Sequence, residues 1–229
     1  RGNDGTDTIS GGAGSNIIDG GSGIDTVDYS FVAKYSDDFL FTHPAYSNNT
    51  VGVVVDLAAG TATGNTVRTI VAGTNEVELA ISDTISNIEY VIGSAYDDTI
   101  YGTNDTLIGE KLSGGDGNDT LDGRGGRDYL DGGNGDDRLI GDLKDYKIDG
   151  GNGSDTVDFS SMTVGIDATL NNGLEGTIKA IGSTISATNT TKIVNVENFA
   201  GTHFGDIIVG DNSNNTIFGG YNTSAVSVV

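Results

Sequence analysis

Gly114-Gly115-Asp116-Gly117-Asn118-Asp119-Thr120-Leu121-Asp122 is the clearest copy of a nine-residue pattern that recurs along this chain. A second clear copy runs from Gly150 to Asp158. A fixed short period of this kind indicates a repeat architecture, in which each unit packs mainly against its neighbours. Further frames of the same length begin at Gly2, Gly11, Gly20, Gly93, Gly123, Gly132, Gly141, Gly201, Gly210 and Gly219.

The eighth position of each frame is apolar and predicts the core. Six residues rich in Gly, Asn and Asp predict a turn, because glycine reaches positive φ without steric cost. The next three predict a short strand whose middle side chain points inward. Two such units make one coil of 18 residues, so turns 18 residues apart stack on one edge. Including Leu112 from a degenerate frame at Asp105, the predicted core positions are Ile9, Ile18, Val27, Ile100, Leu112, Leu121, Leu130, Leu139, Ile148, Val157, Ile208 and Ile217.

The sixth position of most frames is an aspartate. Stacked strands lie about 4.8 Å apart, so carboxylates at this position would repel each other by ~3–4 kcal/mol at an effective dielectric constant near ~20. Lysine and arginine do not recur at the same period, so we expect a cation between the turns. Calcium fits best, because it accepts carboxylate and carbonyl oxygens in irregular geometry, whereas magnesium demands tighter octahedral geometry. A structural zinc site is disfavoured in a chain with no Cys and two His.

These residues resemble the haemolysin-type or RTX (repeats-in-toxin) nonapeptide, G-G-x-G-x-D-x-U-x, a calcium-binding repeat. The resemblance covers about half of the chain and implies an all-β fold, a parallel β-roll (a calcium-binding β-solenoid), here with two β-rich insertions. In this family each ion lies between two stacked turns, held by sixth-position carboxylates and by loop carbonyls. The implied metal-binding residues are Asp7, Asp25, Asp98, Glu110, Asp119, Asp128, Asp137, Asp155, Asp206, Gly115, Gly117, Gly132, Gly133, Asn134, Gly135, Gly150 and Asn152.

The resemblance also implies which acids share an ion. Asp137 lies in the middle of its run and is expected to contact two ions, whereas Asp155 ends the run and is expected to contact one. On the opposite edge the position after Asp128 is Tyr146, which departs from the pattern, and neighbouring Asp145 is the alternative ligand. The expected pairs are Asp119 with Asp137, Asp137 with Asp155, Asp7 with Asp25, and Glu110 with Asp128.

Two stretches interrupt the frames and echo each other. Each returns through a similar segment, Asn87-Ile88-Glu89-Tyr90-Val91-Ile92 or Asn195-Val196-Glu197-Asn198-Phe199-Ala200, and their Thr, Val and Ile content predicts strands. Tyr96 and Phe204 are expected to pack each insertion against the coil, and the aromatic residues of 31–50 form either a packed lid or a contact patch. The predicted boundaries are 1–30 (repeats), 31–92 (insertion), 93–158 (main β-roll), 159–200 (insertion), 201–222 (repeats) and 223–229 (tail).

Composition restricts the function. A net charge of −22 disfavours a nucleic-acid partner, and the absence of a long apolar run disfavours membrane insertion. Metalloprotease and serine-hydrolase motifs are absent, and His43 and His203 are interpreted as structural, so no enzyme activity is expected. The chain opens inside a repeat without a recognisable signal peptide, and we expect it to be part of a longer polypeptide.

The favoured hypothesis is a secreted, non-catalytic module of a larger exported protein, which folds on binding extracellular calcium. The family resemblance implies export through a type I secretion machinery and an extracellular, including cell-surface, location. Two alternatives stay open. One is a building block of an extracellular adhesin, surface layer or filament, with homo-oligomer formation. The other is a C-terminal accessory module of a secreted protease, lipase or alginate epimerase.

Overall fold

A computed structural model describes residues 1–12, 14–32, 52–69, 77–107, 109–171, 174–182 and 190–220, and its regular elements there are all strands. Within this part of the chain, no helix is long and apolar enough to cross a membrane. The tail at 223–229, His43 and most of the aromatic stretch 31–50 lie outside the described residues.

The strands are short and follow the predicted turn-strand alternation. In chain order they are β1 (Asn3–Gly5), β2 (Thr8–Ile9), β3 (Ile17–Asp19), β4 (Gly21–Gly23), β5 (Thr26–Asp28), β6 (Val53–Asp56), β7 (Thr61–Thr69), β8 (Val77–Ser86), β9 (Tyr90–Ile92), β10 (Thr99–Tyr101), β11 (Lys111–Asp116), β12 (Thr120–Asp122), β13 (Tyr129–Asn134), β14 (Arg138–Ile140), β15 (Lys147–Asn152), β16 (Thr156–Asp158), β17 (Ile166–Thr169), β18 (Gly176–Ala180), β19 (Thr191–Val194), β20 (Asn198–Ala200), β21 (Ile207–Val209) and β22 (Thr216–Phe218).

Outside the two insertions, successive strands of the roll alternate between two ten-stranded sheets, while β1 and β4 form a small parallel pair of their own. The first large sheet has the order β2-β5-β9-β11-β13-β15-β19-β18-β17-β21, and the second β22-β20-β16-β14-β12-β10-β6-β7-β8-β3. Coils of 18 residues set the register in the main roll, where Leu121 pairs with Leu139 and Leu139 with Val157. The predicted all-β parallel β-roll is therefore confirmed.

The core lies between the two sheets and is formed by the eighth-position side chains. Leu112, Leu121, Leu130 and Leu139 are fully buried. In the strand Thr120–Asp122 only the middle side chain is buried, as expected when alternate residues of a strand point to opposite faces. The first and last core positions, Ile9 and Ile217, are partly buried and pack against the same core.

Each insertion adds antiparallel strands to one sheet and then returns to the roll in register. The strands β6, β7 and β8 form a meander in the second sheet, and β17, β18 and β19 form one in the first. The pairing is equivalent in both cases: β6 pairs with β10 as β17 pairs with β21, and β5 pairs with β9 as β16 pairs with β20. The two echoing units of the sequence are thus the same structural unit, placed on opposite sheets.

Tyr96 and Phe204, the aromatic residues at the two restarts of the roll, differ in their packing. Tyr96 packs partly against the core, as expected for a residue that holds an insertion to the coil. Phe204 is 46% exposed, so the expectation of a packed plug is wrong there. The turn of Phe204 is instead held by Thr202, whose hydroxyl accepts a 2.9 Å hydrogen bond from the Phe204 N–H.

Candidate metal centre

The turns of the main roll are tight because their second and fourth residues are glycines in the left-handed region. Gly115 and Gly117 have φ values of 114° and 129°, and Gly133 and Gly135 repeat them at 112° and 132°. A Cβ on Gly133 would lie 2.1 Å from the Gly115 carbonyl oxygen, so only glycine permits this approach of stacked turns.

Sixth-position acids form a continuous hydrogen-bonded ladder along one edge of the roll. The backbone N–H of each acid donates to a carboxylate oxygen of the acid in the next coil: Asp98 to Asp119 at 2.7 Å, Asp119 to Asp137 at 2.7 Å, and Asp137 to Asp155 at 2.9 Å. The ladder then continues from Asp155 to Glu197 at 2.9 Å. Asp155 is therefore an interior member, and the expectation that it ends the run is wrong, because the returning segment of the second insertion occupies the next coil.

In Asp119, Asp137 and Asp155 the second carboxylate oxygen is buried but has no hydrogen-bond partner in the described part of the chain. Asp119 and Asp137 are 1% exposed, and Asp155 is fully buried. An unsatisfied buried polar atom is costly, and an unpaired buried charge more so. The atoms in this condition are Oδ2 of Asp7, Asp25, Asp119, Asp128, Asp137 and Asp155, Oε2 of Glu110 and Oδ1 of Asp145.

The space beside the first glycine of each frame is bounded by oxygen atoms. A Cβ on Gly132 would lie 2.4 Å from Asp137 Oδ2 and 2.4 Å from the Gly150 carbonyl oxygen. A Cβ on Gly114 would lie 2.1 Å from Asp119 Oδ2 and 2.6 Å from the Gly132 carbonyl oxygen. A carboxylate oxygen and a carbonyl of the next coil therefore converge at each of these glycines.

The predicted asparagine ligands lie at the outer side of these turns. The backbone carbonyls of Asn134 and Asn152 each accept a 2.8 Å hydrogen bond, from the N–H groups of Gly117 and Gly135. Since a carbonyl oxygen has two lone pairs, one remains on each for a cation. The side chains of Asn134 and Asn152 are linked to each other by a 2.8 Å hydrogen bond.

A similar arrangement follows the opposite edge. The Asp7 N–H donates to Asp25 at 2.9 Å, and the Glu110 N–H donates to Asp128 at 2.8 Å. These are two of the pairs expected from the sequence. Thr103 holds the other oxygen of Glu110 through a 2.6 Å hydrogen bond, which leaves Glu110 Oε2 unpaired.

After Asp128 the next sixth-position residue is Tyr146, but the buried position in the turn is occupied by Asp145 instead. Tyr146 is 48% exposed, whereas Asp145 is 2% exposed and has an unpaired Oδ1. The chain bulges here, because the N–H groups of both Tyr146 and Lys147 donate to the Asp128 carbonyl, at 2.8 and 3.2 Å. This bulge brings the residue before Tyr146 into the ladder.

Burial dominates the electrostatics of the turns. Together with the neighbouring charges of Asp98 and Asp137, it raises the pKa of Asp119 to about 8. The same cause raises the pKa of Asp128 to about 8, of Asp137 to about 7 and of Asp155 to about 6. The ion pairs of Arg124, Arg138, Lys147, Lys179 and Lys192 are made with acids outside the turns, namely Asp56, Asp158, Asp149, Asp167 and Glu175.

Asp98 and Asp206 differ from the unsatisfied ladder acids, because both oxygens of each carboxylate are hydrogen-bonded within the chain. Asp98 Oδ1 accepts from the N–H of Val53 and from the hydroxyl of Ser94, and Oδ2 accepts from the Ser94 N–H. Asp206 has the same partners at Ile166 and Thr202. A serine or threonine in place of the second glycine supplies the hydroxyl in both turns.

Sequence reasoning missed Glu89 and Glu197, whose carboxylates lie in the ladders. Glu89 Oε2 accepts the Asp25 N–H at 2.9 Å, as Glu197 Oε2 accepts the Asp155 N–H. Neither follows a glycine-rich turn, so a search for the nine-residue frame passes over them. The echo of Asn-x-Glu at the end of both insertions was the available signal.

This donor set fits calcium. Every converging atom is an oxygen, and calcium takes about six to eight oxygen ligands, including backbone carbonyls. In the described residues, no group of three or more His, Cys, Asp or Glu side chains could hold a metal by itself. Backbone carbonyl oxygens are among the converging atoms, which disfavours zinc and favours calcium.

Comparison with known families agrees with this chemistry. The family model described as the RTX calcium-binding nonapeptide repeat (4 copies) matches residues 1–28, 84–112, 113–143 and 201–222. No curated protein matches the chain. RTX nonapeptide repeats bind several calcium ions per module, so the family resemblance and the calcium cofactor predicted from the sequence are confirmed.

Proposed function

Since this chain is a calcium-binding β-roll module built from RTX nonapeptide repeats, we propose that calcium acts as its folding switch. The module is a non-catalytic, structural part of a larger exported protein. It stays unfolded at the low calcium concentration of the cytosol and folds at the high calcium concentration outside the cell. The observation that carries this proposal is the set of buried carboxylate oxygens without partners at the stacked turns.

Electrostatic repulsion supplies the switch. Neighbouring ionised turns repel by ~3–4 kcal/mol at the strand spacing, and a domain is stable by only about 5–15 kcal/mol in total. A few uncompensated pairs are therefore sufficient to unfold the roll. A bound divalent cation replaces this repulsion with attraction, and because the site exists only in the folded chain, its binding free energy stabilises the fold.

Export supports the same proposal. RTX repeat proteins are typically exported, and the proposed route is a type I secretion machinery, which carries unfolded chains. A net charge of −22 opposes collapse of the chain before calcium is available. Outside the cell, calcium would both fold the module and retain it in the folded state.

Circular dichroism tests the switch directly. The chain in excess chelator should lack β structure, and calcium addition should restore it cooperatively, whereas an equal concentration of magnesium should not. Potassium chloride at matched ionic strength controls for simple screening of charge. A full β spectrum in excess chelator would contradict the proposal.

A second candidate function is a building block of an extracellular assembly. The two large sheets end at β2 and β21 and at β22 and β3, and these strands pair on one side only within the described residues. Edge strands of this kind can pair with a second chain. Light scattering that shows calcium-dependent polymers would favour this function, and a calcium-loaded monomer at all concentrations would contradict it.

A further inference from the structure

The last nonapeptide before each insertion lies next to the segment in which that insertion returns to the roll, and oxygen atoms from both converge there. At the second insertion, the Asp155 N–H donates to Glu197 Oε2 at 2.9 Å. Asp155 is fully buried and its Oδ2 has no partner. A Cβ on Gly150 would lie 2.6 Å from Asp155 Oδ2 and 2.0 Å from the Asn195 carbonyl oxygen, so these oxygens converge beside Gly150.

The first insertion has the same geometry. The Asp25 N–H donates to Glu89 Oε2 at 2.9 Å, and Asp25 is fully buried with an unpaired Oδ2. A Cβ on Gly20 would lie 2.7 Å from Asp25 Oδ2 and 2.0 Å from the Asn87 carbonyl oxygen. The arrangement therefore occurs independently on both edges of the roll.

The returning segments are shaped to present a carbonyl and a carboxylate together. Asn87 and Asn195 both have φ of 52°, in the left-handed region that asparagine tolerates best among residues with a side chain. Their side chains fix this turn, because Asn87 Nδ2 donates to Asp19 at 2.9 Å and Asn195 Nδ2 donates to Asp149 at 2.8 Å.

Glu89 and Glu197 each lie in a bulge of the returning strand. The N–H groups of Glu89 and Tyr90 both donate to the Asp25 carbonyl, and those of Glu197 and Asn198 both donate to the Asp155 carbonyl. Two residues thus oppose one, as in a β-bulge. The extra methylene of glutamate lets the carboxylate reach the ladder position that an aspartate holds in a regular coil.

We propose that Glu89 and Glu197 are calcium ligands, each completing a site that fastens an insertion to the roll. One ion would be held by Asp25, Glu89 and the Asn87 carbonyl. Its counterpart would be held by Asp155, Glu197 and the Asn195 carbonyl. Each site supplies two carboxylates, which match the charge of one divalent ion. This inference rests on the proposed calcium binding and extends it to segments outside the nonapeptide frame.

The direct test is to count bound calcium ions in Glu89→Gln, Glu197→Gln and the double variant by native mass spectrometry and calorimetric titration. Glutamine keeps an oxygen that accepts the Asp25 or Asp155 N–H but removes the charge. Each single variant should lose one site or bind there at least tenfold more weakly, and the double variant should lose two. Glu175→Gln is the matched control, because Glu175 lies outside the ladders and forms a 2.7 Å ion pair with Lys192.

Wild-type stoichiometry and affinity in the double variant would overturn the inference. Absence of calcium binding by the wild-type chain in the same titration would instead overturn the proposed function, so the two failures are distinguishable. If a glutamine variant does not fold at saturating calcium, Glu197→Asp replaces it, since it keeps the charge but shortens the side chain by one methylene. Unchanged calcium affinity in that variant would also overturn the inference.

Discussion

The backbone N–H of Asp119 donates a 2.7 Å hydrogen bond to Oδ1 of Asp137, one coil further along the roll. This bond fixes the second oxygen of Asp137 in the buried space beside Gly132, where it has no partner. The hydrogen bond that orders the turn therefore also leaves a buried carboxylate oxygen that a cation could bind. Stacking and metal binding are coupled in the geometry of a single side chain.

Asp137 and Asp136 provide a matched pair of acids in one turn. Each accepts a backbone N–H from a neighbouring coil, Asp137 from Asp119 and Asp136 from Ser154 at 2.8 Å, but Asp136 is exposed. Asp137→Asn should weaken two calcium sites by about tenfold or more each (~1.4 kcal/mol), because ligand charge tunes calcium affinity. Asp136→Asn should weaken none. Calorimetric titration measures both, and equal losses would show that the sixth-position assignment is wrong.

Alanine substitutions at Gly132 and Gly125 test whether the space beside Gly132 is needed, without a change of backbone conformation. Neither has a positive φ, so alanine adds no strain of that kind at either. A Cβ at position 132 would lie 2.4 Å from Asp137 Oδ2, whereas at position 125 the nearest atom is 3.7 Å away. Gly132→Ala should therefore raise the calcium concentration needed for folding severalfold, and Gly125→Ala should leave it nearly unchanged. Circular dichroism during calcium titration decides between them, and identical midpoints would exclude a metal beside Gly132.

Much of the roll was predictable because its period determines both core and turns. Leu121 and Asp119 occupy positions eight and six of one frame, and the structure buries both. What the frame could not reveal was how the insertions return. The bulges at Glu89, Asp145 and Glu197 place acids in the ladders from outside the regular spacing, since two residues there oppose one.

The different state of Asp98 and Asp206 was also hidden from the repeat pattern. Both fit position six perfectly in sequence, yet the hydroxyls of Ser94 and Thr202 donate to their carboxylates. Replacement of the second glycine by a hydroxyl residue is visible in the sequence, but its consequence depends on side-chain geometry. The placement of the two insertions on opposite sheets depends on long-range strand pairing, which local pattern does not encode.

A charged substitution should be tolerated less well at the buried Leu121 than at the neighbouring Thr120. Leu121 is fully buried between the sheets, while Thr120 is half-buried and pairs with Arg138 of the next coil. Leu121→Asp should destabilise the calcium-loaded protein by more than about 4 kcal/mol, because it places an unpaired charge in the core. Thr120→Asp should cost less than about 1 kcal/mol, since Arg138 is its register neighbour. Denaturant unfolding at saturating calcium compares them, and similar midpoints would contradict the register.

Acid should partly replace calcium in the metal-free chain. The folded-state pKa values of Asp119, Asp137 and Asp155, about 8, 7 and 6, all lie above the ordinary value of 3.8. Between pH 4 and pH 8 the folded state therefore binds more protons than the unfolded state. The free energy of unfolding must then fall as the pH rises through this window. In chelator, β structure should increase when the pH is lowered from 8.5 to 5.5.

Saturating calcium should reverse this pH dependence, because calcium binds the ionised carboxylates and protons compete with it. Asp137→Asn removes one of the titrating groups and should flatten the metal-free pH profile, whereas Asp136→Asn should leave its slope unchanged. Circular dichroism across the pH range in chelator and in calcium provides the comparison. If the metal-free chain gained β structure on raising the pH instead, the turn acids would have to be ionised and compensated in the fold. Repulsion between them would then not be the force that holds the chain unfolded.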